Sequence, residues 1–251
     1  MKVQTLIEGM NPTLDEQFNT FHQDFLAPMT QLRQKHDLGS NQVNIGLKVE
    51  EKVIFQSGKE SGFLAGADVN AIAAIGSANE AIQIIEAGQN LFQRIEWLTI
   101  PTVAIIHGPC MGGGLELALS CDYRVARDNS STKLALPEIK LGLIPGWGGT
   151  QRLPGQVGVR NALSMILTGK EVNATEARRM HLVDAAIAPD SWERDVQVFI
   201  DNIDQGMAPA APKHTWKRTL EDTSIGRRLI LHMAGKSISS KQENYPALGG
   251  A

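Results

Sequence analysis

Two glutamates and a run of three glycines carry the chemistry this sequence suggests. Gly112, Gly113 and Gly114 follow a short apolar run, Thr102-Val103-Ala104-Ile105-Ile106, and lead into Leu115-Glu116-Leu117-Ala118-Leu119, a good helix sequence. That order reads as a strand, a glycine turn and a helix N-terminus. The first N–H groups of a helix lack internal partners and the helix dipole adds partial positive charge, so the turn favours a developing anion. Phe63-Leu64-Ala65-Gly66-Ala67-Asp68, small residues after another strand candidate, offers a second set of accessible N–H groups. Two donors converging on one carbonyl oxygen make an oxyanion hole, and removing one typically costs about 2.7–4 kcal/mol of transition-state stabilisation.

Glu116 comes three residues after Gly113, which places it on the same side of the helix. Glu138 sits in Leu136-Pro137-Glu138-Ile139-Lys140-Leu141-Gly142, an apolar setting where a solvated carboxylate is unexpected. Two carboxyls held together cannot both ionise easily, so one stays protonated and serves as an acid at neutral pH. The pair suits proton movement at adjacent carbons. Plainer readings stand beside each feature. The glycines can serve a tight turn or close helix packing, Glu116 can complement the helix dipole, and Glu138 can pair with Lys133 or Lys140.

Other chemistries find less support. His107, at a strand end, is expected to satisfy a backbone carbonyl, and His22, His36, His181, His214 and His232 lack metal-ligand spacing. Gly169-Lys170 is followed by Glu171, not Ser or Thr, and neither glycine cluster gives the dinucleotide pattern G-x-G-x-x-G. No G-x-S-x-G marks a nucleophilic serine. Asp122 and Arg124 read as a structural ion pair. Cys110 and Cys121 form no C-x-x-C and read as reduced, buried thiols.

The elements around these residues follow from periodicity and from breakers. Leu14, Phe18, Phe21, Phe25, Met29 and Leu32 form the stripe of an amphipathic helix, with Thr13 as its cap and a break expected at Pro28. Residues 43–49 alternate as a strand, and Lys52-Val53-Ile54-Phe55-Gln56 reads as the next. Ile82, Ile85, Leu91, Phe92 and Ile95 mark a covering helix over Asn79 to Trp97. The run 102–106 suits a strand buried on both faces, and Tyr123-Arg124-Val125-Ala126 and Leu134-Ala135-Leu136 are weaker strand candidates. From Ala174 on the pattern reads as mainly helical. Ala208-Pro209-Ala210-Ala211-Pro212 suggests a hinge before a basic helix around Ile225 to Gly235. Strands alternating with helices give an α/β domain over 1–190, with a helical C-terminal region and tail over 191–251.

Composition sets the outer limits. The 251 residues suffice for one sizeable core, and 24 Lys and Arg against 27 Asp and Glu leave a net charge of −3. No global positive field draws the protein to nucleic acid or anionic lipid. The absence of a signal-like start or a membrane-length apolar stretch points to a cytoplasmic protein.

With these residues in view, the sequence resembles the crotonase (enoyl-CoA hydratase/isomerase) superfamily, and within it the hydratase domains of multifunctional fatty-acid oxidation alpha subunits. The resemblance rests on Phe63 to Asp68, on Ala104 to Leu119 with His107-Gly108-Pro109-Cys110-Met111-Gly112-Gly113-Gly114, and on Leu136-Pro137-Glu138 through Gly149-Thr150-Gln151-Arg152-Leu153-Pro154. It implies a crotonase-type fold of repeated ββα turns in a spiral with a helical C-terminal region, assembled as a homotrimer or hexamer or with dehydrogenase and thiolase components. It implies acyl-CoA as substrate and hydration of trans-2-enoyl-CoA to 3-hydroxyacyl-CoA. Isomerisation of a 3-enoyl to the 2-enoyl form, or an idle acyl-CoA-binding or assembly module, are the alternatives.

By the same resemblance, the Ala67 and Gly113 N–H groups bind the thioester oxygen, Glu116 activates the water and Glu138 exchanges the α-carbon proton. The Gly146 backbone positions the water, Ala65, Ala67 and Asp68 bind CoA, and Trp147 shapes the acyl pocket. No metal or redox cofactor is implied. The sequence departs from the family in four respects. The stretch from Met1 to Asn11 leaves little room for an opening strand, Asp128-Asn129-Ser130-Ser131-Thr132 adds residues expected to bulge outward, Trp147 occupies a site that is small in many single-function relatives, and Gly155 replaces a commonly basic residue.

Overall fold

The computed structural model describes residues 43–48, 52–66, 72, 74–98 and 100–207. The helix expected over Leu14 to Leu32, the hinge at Ala208 to Pro212 and the basic helix near Ile225 lie outside these residues, as do Ala67 and Asp68. The described chain holds seven strands, β1 (Val43–Lys48), β2 (Lys52–Ser57), β3 (Thr102–Ile106), β4 (Cys110–Met111), β5 (Tyr123–Arg127), β6 (Leu134–Ala135) and β7 (Ala185–Ile187). Its α-helices are α1 (Ala78–Glu96), α2 (Gly113–Ser120), α3 (Gly149–Val157), α4 (Val159–Thr168), α5 (Ala174–Arg179) and α6 (Trp192–Asp204), and a 3-10 turn spans Glu138–Leu141.

One five-stranded sheet runs in the order β1-β2-β3-β5-β7, parallel except for the β1–β2 hairpin. A smaller sheet pairs β4 with β6 in parallel, and Leu64 bridges to Cys110 on its edge. Each turn of chain therefore lays one strand in the large sheet, a short one in the small sheet, and then a helix. β2, Leu64 and α1 form one such turn, and β3, β4 and α2 form the next. This is the repeated ββα spiral that the resemblance implied.

β3 shows why the run 102–106 is apolar throughout, since all five residues are buried. Ala104 and Ile106 face the core formed with α1 to α4, whereas Val103 and Ile105 face the other side of the sheet. There α6 supplies Trp192, Val196, Phe199, Ile200 and Ile203, spaced at three and four along the chain. The helix beyond residue 190 thus shares a core with β3 and β5.

Three expectations need correction. Residues 185–187 form β7 beside β5, although the region from Ala174 read as mainly helical. Three residues are too few for a period-two signal, and their place is set by the neighbouring strand. In α1 only Gly88, Leu91, Phe92 and Ile95 are buried, and the stripe's N-terminal Ile82 and Ile85 stay exposed. Asp122 and Arg124 are not an ion pair. The Asp122 carboxylate accepts from the Thr102 N–H and hydroxyl, both at 2.8 Å. Arg124 is buried, lies 3.6 Å from the Asp184 carboxylate, and donates to the Cys121 and Leu182 carbonyls.

Candidate active site

The glycine turn is built as its sequence implies. β3 ends at Ile106, β4 follows at Cys110, and α2 begins at Gly113. The Gly112 N–H donates to the Ala135 carbonyl at 2.9 Å, and its carbonyl accepts from Leu115 and Glu116 to start the helix. Among the described residues the Gly113 N–H makes no backbone hydrogen bond, which leaves it free to donate to a ligand. The Ala65-Gly66 turn reaches this place because Met111 N–H donates to the Leu64 carbonyl at 2.8 Å. A Cβ placed on Gly112 would lie 3.7 Å from the Gly66 Cα, so the two donor turns meet. Ala65 is exposed there.

Glu116 sits in the first turn of α2, a helix buried along nearly its whole length, and is 2 % exposed. Its Oε1 accepts from the backbone N–H of Trp147 and of Gly149, each at 2.8 Å. The dipole reading of this residue therefore applies to a second helix, because those donors open α3. Burial pushes the Glu116 carboxyl up from the ordinary carboxylate value, opposed by the Gly149 and Trp147 N–H groups and then by the Arg152 charge.

Glu138 opens the 3-10 turn and approaches the same place from the other side. A Cβ on Gly112 would sit 2.9 Å from its Oε1, and Gly112 has φ of 53°, so only glycine fits there without strain. Its Oε2 is buried and has no hydrogen-bond partner among the described residues. The salt bridge considered for Glu138 is not made with Lys140, which faces Glu171 at 3.7 Å. Burial pushes the Glu138 carboxyl up to about 7, its own backbone N–H opposes this, and the Glu116 charge adds a smaller upward push. The two carboxyls thus sense each other. Near neutral pH Glu138 is poised to give or take a proton.

Of the remaining residues, Trp147 lies beside this pair. The Trp147 indole packs where a Gly113 side chain would stand, with a ring carbon 2.5 Å from that Cβ position, and meets Phe92 edge-on at 5.7 Å. The Gly146 carbonyl accepts from Gln89 Nε2 at 2.8 Å. A cleft of about 580 Å³ between α1 and α3 is lined by Trp147, Gly148 and Arg152 together with Gln89, Gln93 and Glu96. His107 lies 2.7 Å from the Lys59 carbonyl, as expected of a strand-end histidine. Cys110 and Cys121 are buried free thiols, both pushed up by burial. The 128–132 insertion exposes Asp128, Ser130 and Ser131, and Asn129 Oδ1 accepts from Ser131, Thr132 N–H and the Thr132 hydroxyl.

The sequence reading missed the two N–H donors that grip Glu116. Gly146-Trp147-Gly148-Gly149 before a helix repeats the signal that marked Gly112 to Gly114, which marks a turn with accessible N–H groups but not the side chain they meet. Among the described residues no helix is long and apolar enough to cross a membrane.

Comparison with known proteins identifies the family and agrees with the fold. The family model for enoyl-CoA hydratase/isomerase matches residues 16–234. The fatty acid oxidation complex subunit alpha of Aliivibrio fischeri is 43% identical over 236 residues, 93% of this chain and 33% of that protein. Its namesake in Vibrio parahaemolyticus is 47% identical over 197 residues, 78% of this chain and 28% of that protein. The chain spans about a third of the length of the curated relatives it matches. Among solved structures, an enoyl-CoA hydratase from Bacillus anthracis superposes with a TM-score of 0.58 at 26% identity, covering 95% of this chain and 80% of that one.

Proposed function

From the premise that this chain belongs to the enoyl-CoA hydratase/isomerase family, we propose that it adds water across the double bond of trans-2-enoyl-CoA to give 3-hydroxyacyl-CoA. One observation carries the reading. Two interacting carboxyls, one held by N–H donors and one with a buried oxygen that has no partner among the described residues, stand beside the Gly113 N–H.

In this mechanism the thioester oxygen accepts from the N–H groups of Gly113 and Ala67, which stabilise the enolate-like charge as water adds. Glu116, as carboxylate, takes a proton from the water while its oxygen bonds to the β carbon. Glu138, as acid, gives a proton to the α carbon. The proton on Glu116 then returns to Glu138, and the site is restored. The Gly146 backbone contributes to holding the water, and Ala65, Ala67 and Asp68 line the CoA side. Ile85, Leu143 and Ile144, exposed apolar residues around Gly146, suit an acyl chain, and Trp147 limits its depth. Protons and oriented dipoles suffice for these steps, so no metal or redox cofactor enters.

We place the chain in fatty-acid β-oxidation in the cytoplasm, as the hydratase portion of a complex with dehydrogenase and thiolase components, assembled as trimers or hexamers. The relatives' name, fatty acid oxidation complex subunit alpha, supports the part of this setting that concerns a fatty acid oxidation complex. Shift of a 3-enoyl double bond to the 2 position is a side activity favoured by Glu138, whose free oxygen can shuttle one proton between neighbouring carbons. Purified protein is expected to hydrate crotonyl-CoA, and Glu116→Gln and Glu138→Gln each to lower kcat by about 100- to 10,000-fold. Isomerisation should survive Glu116→Gln and disappear in Glu138→Gln. Folded wild-type protein without hydration would sink the proposal.

A further inference from the structure

The turn that grips Glu116 is itself held from outside. Arg152 Nη1 donates to the Trp147 carbonyl at 3.0 Å, on the residue whose N–H binds Glu116. Its Nε and Nη2 donate to Glu96 Oε2 at 3.1 and 2.9 Å, so one guanidinium joins α3, the 147–149 turn and α1. Gly148, with φ of 105°, makes room, because a Cβ there would overlap Nη1. The Arg152 side chain is 15 % exposed and Glu96 is 52 % exposed. An ion pair on so exposed a carboxylate adds little stability by itself. The planar fork of arginine, spanning a carbonyl and a carboxylate at once, does something a lysine cannot.

We propose that Arg152 is a positioning residue for the hydration, holding the Trp147–Gly149 turn against Glu116 so that one carboxylate oxygen is saturated by N–H donors and the other is left for water. Three charges bear on this point. Glu138 faces Glu116 across the glycine turn, Arg152 faces it from α3, and Glu96 faces Arg152 from α1. The Arg152 charge favours the ionised form of Glu116, the form that accepts a proton from water.

The kinetic consequence rests on the hydratase reading, whereas the geometry does not, and the two separate in one experiment. The Glu116 carboxyl is titrated by carbon-13 NMR in the full chain, assigned with Glu116→Gln, and crotonyl-CoA kinetics are measured on the same preparations. Arg152→Gln is expected to move the Glu116 midpoint up by about one pH unit and to lower kcat about 30-fold with KM within about twofold. Arg152→Lys should keep the midpoint and still lose about tenfold in kcat, because the charge remains and the fork is gone. An unshifted midpoint in Arg152→Gln overturns the inference. A shifted midpoint in a protein that never hydrates crotonyl-CoA upholds the hold of Arg152 on Glu116 and overturns the hydratase reading. Should Arg152→Gln not fold, an unchanged kcat in Arg152→Lys overturns it.

Discussion

Glu116 and Glu138 are the same residue type in one site, and the elements beneath them make them different. Glu116 stands on a buried helix and gives one oxygen to two N–H donors that open another helix. Glu138 stands on a four-residue 3-10 turn with an oxygen that nothing in the described structure meets. Burial raises both carboxyls, and Glu116 has two N–H donors and a nearby cation to offset it, whereas Glu138 has only its own backbone N–H. A site can therefore hold a base and an acid from identical side chains by giving one of them the donors of a second helix and a cation that the other lacks.

Intruding on the Glu138 side should disturb the contrast most. Gly112→Ala forces a side chain into a left-handed position and to within 2.9 Å of Glu138 Oε1. The carboxyl must move, and hydration is expected to fall about 100-fold. The Glu116 titration should stay near its wild-type midpoint. Equal disturbance of both carboxyls would mean that they are not separately held.

A smaller effect concerns stability. The unfolded chain titrates Glu138 near the ordinary value of 4.5 and the folded chain near 7. Between these values the folded state holds the extra proton, so this group favours folding at low pH and its contribution is lost as pH rises toward 7. Above that pH the folded state carries the full cost of a buried charge. Glu138→Gln should then stabilise the protein by about 2 kcal/mol at pH 8 and by little at pH 4, measured by urea unfolding at both. A loss of stability at pH 8 would mean that the folded state welcomes the charge.

The two sides also differed in how much the sequence disclosed. The strand, glycine turn and helix from Thr102 to Ser120 were legible because their signals are local, an apolar run, small residues and a helical stretch in direct succession. Glu138 stood out because a carboxylate in an apolar run needs a reason. What holds Glu116 was not legible, because its donors lie 31 and 33 residues away and meet it only through tertiary packing. Arg124 was mispaired for the same reason, since its aspartate partner lies 60 residues on instead of two. β6 falls within the strand candidate Leu134-Ala135-Leu136, whereas β7 and the two-residue β4 are too short to show a period and are placed by the strands beside them.

The pH dependence of kcat/KM for crotonyl-CoA hydration, which reports on the free enzyme, tests the division of labour most directly. A protonated Glu138 beside an ionised Glu116 predicts a bell whose alkaline limb falls near pH 7, where Glu138 loses its proton. A rate that holds level from pH 7 to about pH 9, with Glu138 ionised throughout, would contradict the assignment of acid and base on which the account stands.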